Sequence, residues 1–258
     1  MREQNYGNLF SFREVIRAIR CYGLAHTLIR RQRLLKWILL PGLMFMGLFS
    51  LGTWLVWIAS ELVTTDINSS LGVSRWIQRL ESGWVSFFFI LLGLSVRLVF
   101  FSFFFSLLKY LLVIVLAPYF ERMASLTESF INPMEPRPAQ QLHVVQRAAT
   151  LAARNGTIQT IVLGILLVLS FIPVAGWVTP LVCFVVECYY FGFAVLDHAC
   201  RLHRLSYSQS INFISDHRGL AIGNGLVFYL FMFIPVAGWI LGPGYAMVAA
   251  TISLRQKS

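Results

Sequence analysis

Four basic side chains, Arg30, Arg31, Arg33 and Lys36, fall within one short stretch. Arginine offers fixed, forked donors to an oxyanion, and a helix beginning near Leu34 adds a favourable dipole. The cluster is thus a candidate collector of a divalent anion. The same charges equally suit headgroup anchoring and topology setting, and both readings stay open. Two ionisable residues, Arg97 and Glu187, interrupt otherwise apolar stretches. Such groups at membrane depth face protein or a water path and often pair, so the two are candidates for a pore or gate. The alternative is structural: Arg97 and Lys109 snorkel to opposite interfaces about 18 Å apart, and Glu187 forms a packing pair. A Glu187 lining an anion path needs a cationic partner.

A further constellation comes from a heptapeptide written twice. Phe171-Ile172-Pro173-Val174-Ala175-Gly176-Trp177 returns as Phe233-Ile234-Pro235-Val236-Ala237-Gly238-Trp239. Each copy splits an apolar stretch into two arms: Ile158 to Leu169 and Val178 to Leu196, then Leu220 to Met232 and Ile240 to Ile252. Proline removes a backbone donor and glycine favours a cap or turn, so each copy reads as helix, tight turn, helix. If the turns lie inside the bilayer, free amides after Gly176 and Gly238, with the indole N–H groups of Trp177 and Trp239, point at a shared space. The competing reading is a tight apolar turn with tryptophan as packing. Asp197, His198, Cys200 and His203 match no standard metal spacing. They read instead as a membrane-surface network in which Asp197 caps or pairs with Arg201 or Arg204, alongside His203. No hydrolase triad, phosphate-cradling glycine loop or redox motif is present in the sequence, so neither an enzyme nor a cofactor is expected.

The elements that position these residues are membrane elements. Hydrophobic residues make up 57% and charged residues 12% of 258, against about 25% charged in a globular domain. Mean hydropathy is +0.71. The expected fold is an all-α integral membrane protein in a single membrane domain, 1–258. Residues 1–36 form a basic interfacial helix, opened by a capping box at Ser11 and Glu14. Behind it Phe12, Val15, Ile16, Ile19 and Tyr22 recur at helical spacing with Arg13, Arg17 and Arg20 between them, a pattern suited to the headgroup region. This segment lacks the apolar core of a signal peptide. Two long spanning helices follow at 37–63 and 84–118, the first with a kink or break at Pro41 and Gly42 and separated from the second by a polar loop over 64–82. A polar segment covers 119–156. Two hairpins occupy 157–196 and 217–254, and most of their arms are short of the roughly 30 Å hydrocarbon core. They are read as re-entrant, with two full crossings per hairpin as the alternative. The four cysteines (Cys21, Cys183, Cys188, Cys200) read as small buried hydrophobes.

Of 21 Lys and Arg residues, Arg75 and Arg79 lie in the 64–82 loop, and Arg97 and Lys109 in the second span. The other 17 fall in the N-terminal segment, the 119–156 and 197–219 segments and the tail. Both hairpin geometries place those regions on one side, which the positive-inside rule makes the cytoplasm. A net charge of +10 is thus assigned to the membrane surface and not to nucleic acid.

These features carry a resemblance. Leu116-Ala117-Pro118-Tyr119-Phe120, the Phe-Ile-Pro turn of the first hairpin, and Asp197 to Gly225 with Asp197, His203 and Arg204 resemble the CysZ family of bacterial sulfate permeases, over nearly the whole chain. The resemblance implies two spanning helices, two hemi-penetrating hairpins, a homo-oligomer in the bacterial inner membrane, and ATP-independent entry of sulfate or a related oxyanion to feed cysteine synthesis. The family's sulfate site is a glycine, an aliphatic residue and one or two arginines before the first span. Here that stretch reads Arg33-Leu34-Leu35-Lys36, without the glycine or the following arginine. The alternative function is a membrane-shaping or assembly protein of the same fold that carries no substrate.

Overall fold

A computed structural model describes residues 12–32, 34–70, 108–133, 143–169 and 173–255. Among the described residues the regular elements are helices: α1 (Phe12–Arg31), α2 (Leu35–Ser70), α3 (Leu108–Ile131), α4 (Val144–Leu169), α5 (Pro173–Leu202), α6 (Tyr207–Asp216), α7 (Arg218–Met232) and α8 (Ala237–Arg255). Among the described residues four stretches are long and apolar enough to cross a bilayer: Leu35–Ala59, Leu108–Ile131, Leu181–Leu202 and Ala237–Arg255. The chain is an all-helical membrane protein. The expected capping box at Ser11 lies partly outside the described residues, as do most of the expected second span and the loop from residue 71 onward.

The chain divides into two compact units, residues 47–109 and residues 1–46 with 110–258. In the smaller, α2 turns Leu51, Trp54, Leu55, Trp57 and Leu62 outward. Its polar side chains bond within the helix. Thr53 and Thr65 return their hydroxyls to the Phe49 and Glu61 carbonyls, and the Trp57 indole donates to Glu61 at 2.8 Å. Such local satisfaction is what an apolar surrounding demands, and it lets α2 continue to Ser70 where a loop was expected from residue 64. The helix also runs unbroken through Pro41.

In the larger unit α8 is the innermost element. Gly242 through Leu254 are all buried, as suits a helix that is apolar on every side. Around it stand α1, α5, α7 and the start of α2, held by small residues at the crossings. A Cβ on Gly192 of α5 would overlap the Ala221 carbonyl of α7, and one on Gly225 of α7 would overlap the Cys188 carbonyl of α5. Between these two points Phe191 stacks on Phe228 with ring centroids 3.6 Å apart. Gly223, on the next face of α7, seats the Val15 and Ala18 turn of α1. Lipid tails are as apolar as leucine, so close backbone packing of this kind is a main source of helix association in membranes. Polar bonds then fix register: the Tyr22 hydroxyl donates to the Asn224 side chain at 2.6 Å, and Asn224 donates to the Ala246 carbonyl.

Several expectations need correction. The N-terminal helix buries Val15, Ala18, Cys21, Tyr22, Ala25 and Ile29, but Phe12, Ile16 and Ile19 point outward, with Phe12 72% exposed. The helix thus has two apolar faces with arginines between them, and small residues choose which one packs. The polar segment expected after Pro118 is helical to Ile131, because Phe120, Glu121, Met123, Ala124, Thr127 and Glu128 recur at helical spacing and are buried. The short helix near Val144 and the arm from Ile158 fuse into α4. The first heptapeptide is helical from Pro173, whereas the second holds a turn over residues 233–236 before α8. In that turn Val236 has φ 63°, a left-handed backbone that a β-branched residue adopts only under constraint. A Cβ on Gly238 would overlap the Phe231 carbonyl, and the Trp239 indole donates to the Met232 carbonyl at 3.1 Å.

The crossing predicts an asymmetric glycine series. Gly192→Ala or Gly225→Ala forces two backbones apart and should lower stability by about 1–3 kcal/mol, as overpacking does. Gly23→Ala, on α1 with nothing within 4 Å of the new methyl, should be neutral or stabilise by up to about 1 kcal/mol. Thermal unfolding in detergent, read as the ordering of the three midpoints, checks this.

Candidate functional site

Three groups of polar residues stand apart from the apolar packing. The first is the basic corner. Arg30 and Arg31 are exposed at the end of α1, and Lys36 is exposed in the first turn of α2. Arg33 lies outside the described residues. Among the described residues none of the three forms an ion pair. Sequence reasoning missed a further cation here: the Arg122 guanidinium of α3 lies 4.5 Å from the centroid of the Trp37 ring. The spacing of Arg122 from the cluster, some 85 positions along the chain, hid it.

The second group surrounds Glu187. Its Oε1 accepts from the Gln159 amide of α4 at 2.5 Å, and its Oε2 from the Tyr229 hydroxyl of α7 at 3.1 Å. The Gln159 carbonyl in turn accepts from the Tyr110 hydroxyl of α3. Four helices thus meet at one carboxylate through neutral donors. Arg97, the expected partner, lies outside the described residues. The donors matter because a charge in an apolar surrounding must be hydrogen-bonded.

The third group surrounds Asp197, which is buried. The Arg147 fork of α4 grips its carboxylate, with Nη2–Oδ1 at 2.7 Å and Nε–Oδ2 at 3.1 Å. The remaining Arg147 nitrogen donates to the Leu205 carbonyl. Ser210 of α6 donates to Asp197 at 2.5 Å. Ser210 is presented by a short helix whose start is fixed by reciprocal Ser206 and Gln209 bonds, a capping box. The fork holding Asp197 is therefore Arg147's, fifty residues upstream, where Arg201 or Arg204 was expected. Arg201 instead stands 3.6 Å from Glu121 of α3. Arg204 is exposed with φ 59°, and His203 donates its backbone N–H to Cys200 in the turn that leaves α5. One residue inward, His198 meets the Phe120 ring edge-on at 5.5 Å.

These groups share a seam. Glu187, Asp197, His198 and Arg201 lie along α5, facing Tyr110, Phe120 and Glu121 of α3 and Arg147 and Gln159 of α4. Gly238 is buried against its own hairpin, and Gly176 sits in the first turn of α5. The four cysteines are free, and Cys21, Cys188 and Cys200 are buried. Burial pushes the Cys21 thiol up to about 11, against the opposing pull of Arg17, which makes it a poor nucleophile. Among the described residues no cluster of metal-ligating side chains occurs.

The sequence model of the family described as "Sulfate transporter CysZ/Etoposide-induced protein 2.4" matches residues 21–243. The chain belongs to this family. A curated relative, the "Sulfate transporter CysZ" of Pseudomonas syringae pv. tomato (strain ATCC BAA-871 / DC3000), is 27% identical over 224 residues, covering 84% of this chain and 87% of the relative. For a chain of the CysZ family the matched span takes in the basic corner, the Glu187 group and the Asp197 group together.

The Arg147–Asp197 pair predicts a strong thermodynamic coupling. Arg147→Leu leaves a buried carboxylate without its cation and should cost about 3–5 kcal/mol. Adding Asp197→Asn in the same chain should recover part of that loss. A double-mutant cycle by thermal or denaturant unfolding reads the coupling, and additive losses would contradict it.

Proposed function

We propose that this protein is an ATP-independent permease or channel for sulfate or a related oxyanion in the bacterial inner membrane. The observation that carries the reading is the membership of the CysZ family together with a polar seam running along α5 between apolar helices. A sulfate transporter matching most of both chains supports sulfate as the first substrate to try. Its entry would feed cysteine synthesis. No nucleotide motif is present in the sequence, so flux would follow the anion gradient, a coupled ion or downstream consumption. Arg30, Arg31, Arg33 and Lys36 collect the anion at the cytoplasmic corner, with Arg122 beside them. Arg97 and Glu187 line or gate the path.

In this reading the two hairpins are re-entrant and both termini are cytoplasmic. α7 has 15 residues, about 22 Å of helix, which is less than the hydrocarbon core. Its turn exposes Phe233, Ile234 and Val236, with Phe233 78% exposed. An apolar tip of this kind is stable in lipid or against a second subunit, not in water, which favours a buried turn and a homo-oligomer. The outward stripe of Phe12, Ile16 and Ile19 beside Arg13, Arg17 and Arg20 suits α1 to the headgroup layer. The same stripe and tips favour a second reading, a membrane-shaping protein that moves nothing.

Radiolabelled sulfate uptake into proteoliposomes separates the two. The permease reading expects flux well above empty liposomes. It also expects replacement of Arg30, Arg31, Arg33 and Lys36 by glutamine to weaken uptake about ten-fold or more at low sulfate, since hydrogen bonds to charged groups are worth roughly 1.5–3 kcal/mol. No flux in either orientation at any pH between 5 and 8, with vesicles visibly deformed, would favour the shaping role.

A further inference from the structure

The stretch of α4 between its two bonds to α5 holds a second, unassigned set of donors. At one end Gln159 meets Glu187, and at the other Arg147 meets Asp197. The antiparallel register places Arg154 and Asn155 of α4 midway, level with Tyr190 of α5. Asn155 is 0% exposed. Its Oδ1 accepts from Arg154 Nη1 at 3.0 Å, which fixes the orientation of the amide. The Nδ2 group is buried without a hydrogen-bond partner. An unpaired buried donor costs about 1–3 kcal/mol, and native chains keep such a cost where a ligand recovers it.

What recovers it must be an acceptor, and the surroundings select a negative one. Arg154 is half-buried, and among the described residues it has no carboxylate partner. It is also the last charged residue of α4 before the apolar arm. Tyr190 is half-buried on the facing stretch of α5. On the side towards α3, a Cβ added at Gly156 would reach ordinary contact with the Tyr110 ring, at 3.4 Å. The two carboxylates that flank the stretch are engaged, Asp197 by Arg147 and Ser210, Glu187 by Gln159 and Tyr229.

We propose that Arg154, Asn155 and Tyr190 form a binding site for a tetrahedral oxyanion where the first hairpin leaves the polar layer. The Arg154 fork and the Asn155 amide donate to two oxygens of the anion, with Tyr190 of α5 level with them. Asn155 has a double duty: its carbonyl aims the guanidinium while its amide binds. The proposal rests on the transport reading only for what the site is for, as a waypoint between the membrane and the cytoplasmic corner.

The test uses the full-length protein, with sulfate as the probe, in two arms: isothermal titration in nanodiscs and labelled uptake in proteoliposomes. Asn155→Leu and Arg154→Gln should each weaken sulfate binding about ten-fold or more. Asn155→Leu should keep or raise the thermal midpoint, because it removes an unpaired buried donor without changing the side chain's size much. Arg154→Gln is half-exposed and tests the same site should the leucine disturb packing. Variants that bind and transport like the parent overturn the site and leave transport standing. Binding that depends on Arg154 in a protein without flux keeps the site and overturns transport. Neither binding nor flux in the parent overturns both.

Discussion

The structure depends on two backbones being allowed to touch. Where α5 crosses α7, Gly192 faces the Ala221 carbonyl and Gly225 faces the Cys188 carbonyl, and no side chain fits between them. In lipid there is no hydrophobic gain in hiding one apolar helix against another, so contact must come from close packing and from a few polar bonds. This crossing supplies both: the Phe191–Phe228 stack fills the gap, and Tyr22 and Asn224 lock α1 onto the same helix. A second pair of small residues does similar work for α2, where Gly42 meets the Ile240 backbone and Gly244 meets Ile38. With one face of α5 committed to α7, another face meets α3 and α4.

That other face is where the chemistry gathers. Glu187, Asp197, His198 and Arg201 follow one another along α5, and each finds its partners on a helix brought there by the crossing. The two carboxylates are treated differently. Asp197, near the C-terminal end of α5, is neutralised by a forked arginine, the geometry in which a buried pair best offsets its loss of hydration. Glu187, deeper in the apolar stretch, accepts from the Gln159 amide and the Tyr229 phenol. Arg154 of α4 lies between the two carboxylates in the helix register.

Much of this was legible in the sequence. The second copy of the heptapeptide marked a turn between two helices, the composition announced a membrane, and Glu187 and Asp197 stood out because charge is costly in apolar surroundings. What stayed hidden was hidden for physical reasons. Partners such as Arg147 for Asp197 and Gln159 for Glu187 are long-range, and nothing in local spacing distinguishes a buried arginine from a headgroup anchor. The face of α1 that packs is decided by Ala18 and Ala25, whose small size lets α7 approach, while larger Ile16 and Ile19 carry the stronger hydrophobic signal and point outward. Helix ends were misread at residues 64–70 and 119–131 because polar residues there bond within or between helices, which a reading by hydropathy scores as loop.

The claim at the centre is that the crossing of α5 and α7 holds open a seam between α4 and α5 that an oxyanion occupies. A crystal structure of the protein grown from lipid with selenate, located by its anomalous scattering, addresses it directly. The account predicts selenate between α4 and α5, beside Arg154, with the Gly192–Ala221 contact intact. Selenate confined to the headgroup surface, with α4 and α5 closed on one another by apolar contacts, would contradict it.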